Sequence, residues 1–313
     1  MARFNRVVVV GAGLMGQYIA LTCASTGSSV RLVDVSQSHL DRAVERIRTT
    51  LANMADLVPR WRNTAAILGR ISTCMDLASG VGDANLVLEA IIEKADAKRD
   101  LFTRLAAACP KDAIITSNTS TLNVFELMPQ DRLSRAAMTH FFVPPHIVPL
   151  VEVVVAPEAD PDVMPALQQY FTEADMRPVF MKRFVRGFII NRLQRAYNRA
   201  AFQLIEEGFA DAESIDAAVK ASIAIRFPVM ALMEKNDQAG LDLVLSNSRE
   251  PFGLADPDSP SKLLEEMVQA GDLGFKSGKG FYDYSDKDKE DIVKQRDVKL
   301  LRIRQLMQEI GEL

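Results

Sequence analysis

The sequence holds three histidines in 313 residues, two of them in the short segment His140-Phe141-Phe142-Val143-Pro144-Pro145-His146. Histidine is the side chain whose ordinary pKa lies nearest neutrality, which suits it to accept a hydroxyl proton while a hydride leaves the same alcohol. His140 ends a strand-like run, Ala136-Ala137-Met138-Thr139-His140-Phe141, and α/β sheets gather their sites at the carboxyl ends of strands. Glu152 follows inside the apolar run Leu150-Val151-Glu152-Val153-Val154. A carboxylate in such a run must be paired or neutralised. A turn at Pro144-Pro145 would fold the two segments together and bring Glu152 to the imidazole, fixing its tautomer and favouring the protonated ring. Spacing alone leaves a plainer reading open, in which His140 is a satisfied polar group and Glu152 faces solvent. A second polar cluster, Ser117-Asn118-Thr119-Ser120, follows the strand-like Ala113-Ile114-Ile115-Thr116. It reads equally as a turn or helix cap and as hydrogen-bonding groups for a ribose and a substrate oxygen. His146, within the turn, reads as structural or surface, and His39 as exposed.

These groups need a scaffold, and the first 34 residues describe one. Val7-Val8-Val9-Val10 is a β-branched run without alternation, as in a parallel strand buried on both faces. Gly11-Ala12-Gly13-Leu14-Met15-Gly16 follows, then a helical pattern from Gln17 to Thr26 stopped by Gly27, then the strand-like Ser29-Val30-Arg31-Leu32-Val33 ending in Asp34. This is the dinucleotide fingerprint with every part in order. Gly11 allows the tight turn, Gly13 lets a pyrophosphate approach the backbone, and Gly16 lets helix and strand pack closely. The helix N-terminus offers free N–H groups to the phosphates. Asp34 would accept ribose hydroxyls and repel a 2′-phosphate, favouring NAD over NADP; FAD shares the fingerprint and stays open at this level. Further strand-like runs at Asn85–Ala90, Leu150–Val155 and Val179–Met181 alternate with helical patterns such as Lys94–Ala108. The expected fold class is α/β: a Rossmann-type, doubly wound, mostly parallel sheet over residues 1–185, followed by an all-α domain over 186–313. In the latter, Ile189, Leu193, Ala196, Ala200 and Leu204 recur at helical spacing before a stop at Gly208. Asp211–Ser222, Ser261–Ala270 and the charged stretch Asp288–Glu312 also read as helices.

Composition excludes several classes. The formal net charge is −4, with 48% hydrophobic and 25% charged residues, which rules out disorder and collagen-like chains. Mild acidity argues against a nucleic-acid partner. Cys23, Cys74 and Cys109 form no CxxC pair, so neither a zinc site nor a disulfide framework is expected, and a reducing compartment fits. No stretch of 18 apolar residues is present, and the first apolar run is already the first strand. The expectation is a cytoplasmic protein without a metal and without a membrane segment.

Taken together, the residues resemble the 3-hydroxyacyl-CoA dehydrogenase family. The matching blocks are Val9–Gly16, Glu89-Ala90-Ile91-Ile92-Glu93, Ser117–Ser120, His140-Phe141-Phe142, Pro149–Val153, Gly187–Leu193, Ala239-Gly240-Leu241-Asp242 and Lys276–Tyr282, in the family's order. The resemblance implies NAD at the turn from Gly11 to Gly16, with Gly13, Leu14 and Met15 beside the phosphates, Asp34 at the ribose, Glu93 and Lys98 nearby, and Asn118 toward the nicotinamide. It implies His140 as general base, Glu152 as its partner, and Ser120 and Asn191 as hydrogen-bonding groups around the reacting oxygen. It also implies a homodimer formed through the helical domain and oxidation of an (S)-3-hydroxyacyl-CoA to the 3-oxoacyl-CoA. Three departures stand out. Val143 occupies a position where the family usually carries Asn, so one substrate hydrogen bond is missing. Met230-Ala231 replaces a Gly-Pro on the acyl side. The region after Asp34 lacks the family's lysines for CoA, leaving Arg42, Arg46, Arg60 and Arg62 as the nearby cations. These departures keep two alternatives alive: a relative acting on a free hydroxy acid, as carnitine and gulonate dehydrogenases do, and a non-catalytic NAD-binding protein of the λ-crystallin type.

Overall fold

The computed structural model describes residues 4–227 continuously, with Leu232 and scattered positions between 270 and 309. Two compact units divide the chain, Met1–Ile189 and Ile190–Leu313. The first is built on eight strands: β1 (Arg6–Val10), β2 (Ser29–Val33), β3 (Ile71–Cys74), β4 (Leu86–Glu89), β5 (Ile114–Ser117), β6 (Ala136–Phe141), β7 (Leu150–Val155) and β8 (Arg177–Phe180). They lie in the order β3-β2-β1-β4-β5-β6-β7-β8. Strands β1 to β6 pair in parallel, β7 runs antiparallel to β6, and β8 runs parallel to β7. The chain thus crosses over after β3, and the gap between β1 and β4 is the topological switch point where such sheets bind ligands.

Helices α1 (Leu14–Ser25), α2 (Gln37–Met54), α3 (Thr64–Gly69), α4 (Leu77–Val81), α5 (Ala95–Ala108) and α6 (Val163–Glu173) connect these strands. The central strands are apolar on both faces because both are covered: Val7, Val8, Val9 and Val10 of β1 and Leu86, Val87 and Leu88 of β4 are all buried. Helix α2 shows the one-sided alternative. Leu40, Ala43, Ile47, Leu51 and Met54 are its buried stripe, and its N-terminal cap is Ser36, whose side chain accepts from the His39 N–H. The edge strand β3 has no sequence signal: its central Ser72 and Thr73 are exposed, so no apolar run marks it.

The second unit begins with α7 (Ile190–Glu206), followed by α8 (Ala212–Ala221) and α9 (Ile223–Arg226). The stop expected at Gly208 is present as a left-handed residue with φ +76°. Among the described residues no strand follows β8. The helix expected at Ser261–Ala270, the Met230-Ala231 segment and the block Ala239–Asp242 lie outside the described residues, as does most of Lys276–Tyr282 and of the stretch 288–312.

Candidate active site

At the switch point the glycine turn is fixed by backbone proximity. A Cβ on Gly16 would lie 1.7 Å from the Gly11 carbonyl oxygen, and one on Gly11, whose φ is +105°, would lie 2.6 Å from the Ala90 oxygen. A Cβ on Gly13 would meet nothing within 4 Å, so this residue opens toward the crevice and leaves room for a phosphate. Asp34, at the end of β2, closes the turn from the other side. Its Oδ2 accepts the Ala12 N–H at 2.8 Å, and its Oδ1 accepts the Ser36 N–H at 3.0 Å and faces His39 Nδ1 at 3.2 Å. A carboxylate offers about four acceptor directions, so one on Oδ2 remains for a ribose hydroxyl. Beside it is a cavity of about 470 Å³ lined by Gly11, Gly13, Asp34, Val35, Met75, Ile91 and Ile92, among others. A largely apolar slot with the Asp34 carboxylate at a glycine turn, and with His39, Asp100 and Arg104 also on its walls, fits an adenosine diphosphate moiety. Leu14 is exposed and Met15 half-buried at the first turn of α1, where the helix N–H groups have no partner of their own.

Across the sheet, His140 and Glu152 stand directly opposite each other in the antiparallel β6–β7 pair. The turn expected at Pro144-Pro145 thus puts the two side chains in register. Nδ1 of His140 lies 2.8 Å from Glu152 Oε2, with the histidine 6% and the glutamate 1% exposed. A carboxylate can only accept, so Nδ1 carries the hydrogen and donates it. Nε2 has no hydrogen bond to any described residue. A turn far along the chain holds both partners. The Ile189 N–H donates to Glu152 Oε1 at 2.9 Å, and the fully buried Phe188 ring stacks on the imidazole with centroids 4.7 Å apart. Phe188 achieves this in the left-handed region, φ +50°, next to Gly187 at φ +84°. Such conformations persist only where the surroundings over-determine them; here the Gly187 N–H donates to the Ser120 carbonyl at 3.1 Å.

Beneath the polar cluster lies a group of buried charges; the resemblance places Glu93 and Lys98 near the cofactor, but nothing in the sequence indicates Glu89 as their partner. Glu89 and Lys98 are both without exposed surface. Lys98 Nζ donates to both Glu89 oxygens, at 2.6 and 2.8 Å, and faces Glu93 Oε2 at 3.5 Å. Glu89 also accepts the Ile91 N–H at 2.7 Å and the Ser117 hydroxyl. Glu93 Oε1 gathers the next residues: the Thr119 hydroxyl at 2.7 Å and the N–H groups of Ser120 and Thr121 at 2.9 and 2.8 Å. Burial raises the Glu93 pKa, but hydrogen bonds from Thr119 and Thr121 and the Lys98 charge outweigh it and leave the carboxyl below its usual value. Asn118 is oriented by its own carbonyl oxygen, which accepts the Phe141 N–H at 2.9 Å, so its NH₂ group is the end left for a ligand.

The structure therefore brings His140, Glu152, Asn118, Ser120 and Glu93 to the ends of β4–β7, and Gly11, Gly13, Leu14, Met15, Gly16 and Asp34 to the other half of the crevice. Lys98 is enclosed under the Asn118–Thr121 loop. Asn191 lies in the first turn of α7, in the second unit. Arg60 is taken up elsewhere, donating to the Ala174 carbonyl at 2.8 Å and facing Asp175 at 3.3 Å; its guanidinium ties α6 to the segment after α2 and is not offered to a phosphate. His146 is buried, stacked between Tyr18 and Trp61 with centroids 4.1 and 5.8 Å away. Ser117 was legible as part of the polar cluster, but Glu89, Phe188 and the Ile189 N–H had no individual role in the sequence, because each matters through a partner distant in the chain.

A Rossmann sheet with this turn, carboxylate and crevice defines an NAD-binding oxidoreductase. Family models extend the class over most of the chain: residues 6–184 match the NAD-binding domain of 3-hydroxyacyl-CoA dehydrogenase and residues 187–284 its C-terminal domain. The chain belongs to the 3-hydroxyacyl-CoA dehydrogenase family. It is 34% identical over 295 residues to a probable 3-hydroxyacyl-CoA dehydrogenase of Caenorhabditis elegans, covering 91% of this chain and 94% of that one. It is likewise 34% identical over 290 residues to human mitochondrial hydroxyacyl-coenzyme A dehydrogenase, covering 90% and 91%. Among solved structures, an NAD⁺-dependent dismutase, 5-formyl-3-hydroxy-2-methylpyridine 4-carboxylic acid 5-dehydrogenase, superposes with a TM-score of 0.87 at 26% identity, covering 97% of this chain and 99% of that one. The chain is thus an oxidoreductase that uses NAD on a small-molecule substrate.

Proposed function

We propose that this dehydrogenase oxidises the 3-hydroxyl of an (S)-3-hydroxyacyl-CoA to the 3-oxoacyl-CoA. The observation that carries the reading is the buried His140–Glu152 pair at 2.8 Å, with Nε2 left as the only basic nitrogen of the ring. His140 takes the hydroxyl proton at Nε2. Bound NAD supplies the acceptor for the hydride. Glu152 keeps the Nδ1–H tautomer and balances the imidazolium that forms. The resemblance assigns Ser120 and Asn191 to hydrogen bonds around the reacting oxygen and the Asn118 NH₂ group to the nicotinamide side. The names of the worm and human relatives support the acyl-CoA substrate, and a place in fatty acid metabolism is part of that proposal. A homodimer through the helical unit belongs to the same proposal. So does cytoplasmic residence, supported by three free thiols, Cys23, Cys74 and Cys109.

A second reading, a compact carboxylate without CoA, draws on two observations. Val143, beyond the end of β6, is 53% exposed and apolar where the family carries an amide. One of the solved structures with this fold is an enzyme named for a pyridine carboxylate. NADH absorbance with a panel of 3-hydroxyacyl-CoAs and free hydroxy acids separates the two. Turnover of acyl-CoAs is expected; turnover of free acids alone would replace the first reading by the second. His140→Ala should lower kcat by about 10²–10⁴-fold while NAD affinity stays unchanged. Unaltered turnover in that variant would remove the proton acceptor from His140.

A further inference from the structure

Asp34 does not meet the adenosine end of the crevice alone. Ser36 caps α2, its hydroxyl accepting the His39 N–H at 3.4 Å, while its own N–H donates to Asp34 Oδ1 at 3.0 Å. The cap folds the first turn of α2 back onto the carboxylate and lays His39 Nδ1 3.2 Å from the same Oδ1. The two side chains are 51% and 12% exposed. Arg42 and Arg46 follow at helical spacing along α2. With His39 they line a second cavity of about 210 Å³, which shares Gly13 and His39 with the nucleotide cavity. The other charges nearby are engaged. Asp41 of α2 accepts from the Gln37 amide at 2.7 Å. Across the nucleotide cavity, Asp100 and Arg104 of α5 face each other at 3.6 Å. The His39 ring is therefore the group in contact with Asp34 that belongs to a residue type changing charge near neutrality.

We propose that His39 is a specificity-determining residue for the cofactor, setting how strongly Asp34 rejects a phosphate on the adenosine 2′-hydroxyl. The neutral ring donates its Nδ1–H to Oδ1 and leaves the carboxylate its full charge, which repels a 2′-phosphate. The protonated ring sets a positive charge against that carboxylate, and Arg42 and Arg46 then make this side of α2 attractive to a phosphate. In mildly acidic solution the crevice accepts a 2′-phosphorylated dinucleotide better, while NAD remains its cofactor. The inference rests on NAD binding at this crevice and is independent of which substrate is oxidised.

The test compares NADH and NADPH binding, by calorimetry at low salt, in the parent and in His39→Gln at about pH 8 and about pH 6. Glutamine keeps a donor for Asp34 and adds no charge. The 2′-phosphate itself takes up a proton near about pH 6, so the variant supplies the baseline. At the higher pH the two proteins should prefer NADH to the same extent, within about twofold. At the lower pH the preference should narrow about fivefold further in the parent than in His39→Gln, the upper end for a half-exposed ion pair. His39→Arg, with a fixed charge, should show the narrowed preference at both pH values. Equal narrowing in the parent and His39→Gln would overturn the proposal, as would a His39→Arg variant that rejects NADPH as the parent does at the higher pH. Equal weakening of both dinucleotides in His39→Gln at the two pH values would give the ring a general structural role and overturn it too. No readout requires turnover, so a wrong substrate assignment leaves the result interpretable.

Discussion

The two ends of the cofactor crevice are held by opposite means. At the glycine turn the structure depends on side chains that are missing: Gly16 allows a backbone approach that a single Cβ at 1.7 Å would forbid, and Gly13 faces open space. At the other end it depends on side chains that are charged and enclosed: Glu89 and Lys98 without exposed surface, Glu93 under its loop, and Glu152 against His140. The first end is stiff because backbone is pressed on backbone within one βαβ unit. The second draws on β4, α5, β5, β6, β7 and the Gly187-Phe188 turn, and is stiff only when all are assembled. The proposal gives the phosphates to the end that is local in sequence and the chemistry to the end that is not.

This contrast predicts which substitutions separate binding from chemistry. The largest effect is expected at the glycine end. Gly16→Ala forces α1 away from Gly11, and NAD affinity, measured by calorimetry, should fall by about 100-fold or more. Retained affinity would show that the turn can yield and would break the comparison. A smaller effect, of a different kind, is expected at Phe188→Ala. Losing a fully buried ring should lower stability by about 3 kcal/mol in denaturant unfolding, and the unsupported imidazole should lower kcat with NAD affinity kept. A parallel loss of both would mean that the two ends are not separable. The smallest effect is acid sensitivity of the loop. The folded pKa of Glu93 lies below its reference of 4.5, so its contribution to stability is complete above that value and is lost as pH falls through the lower folded one. The amide resonances of Ser120 and Thr121 should move in that acid range, and Glu93→Gln should abolish the movement. An unchanged titration in the variant would assign the effect to another group.

The sequence by itself determined the sheet, apart from its edge strand β3, and the first end of the crevice. Val7–Val10, the three glycines and Asp34 carry their meaning in one short stretch of chain, because strand, turn, helix and strand follow one another without a long excursion. It also announced the His140–Glu152 pair, though spacing alone left Glu152 free to face solvent. Only the tertiary structure decided that pairing, through the antiparallel register of β6 and β7, and only it revealed the supports. In the sequence Glu89 ends a strand-like run, Lys98 is placed beside NAD only by the family resemblance, and Phe188 lies in a matching block with no role of its own. Their roles come from neighbours 28, 9 and 48 positions away in Ser117, Glu89 and His140. A buried charge is tolerable only where such partners meet it, and which partners meet is set by how the strands align, not by what lies nearby in the chain.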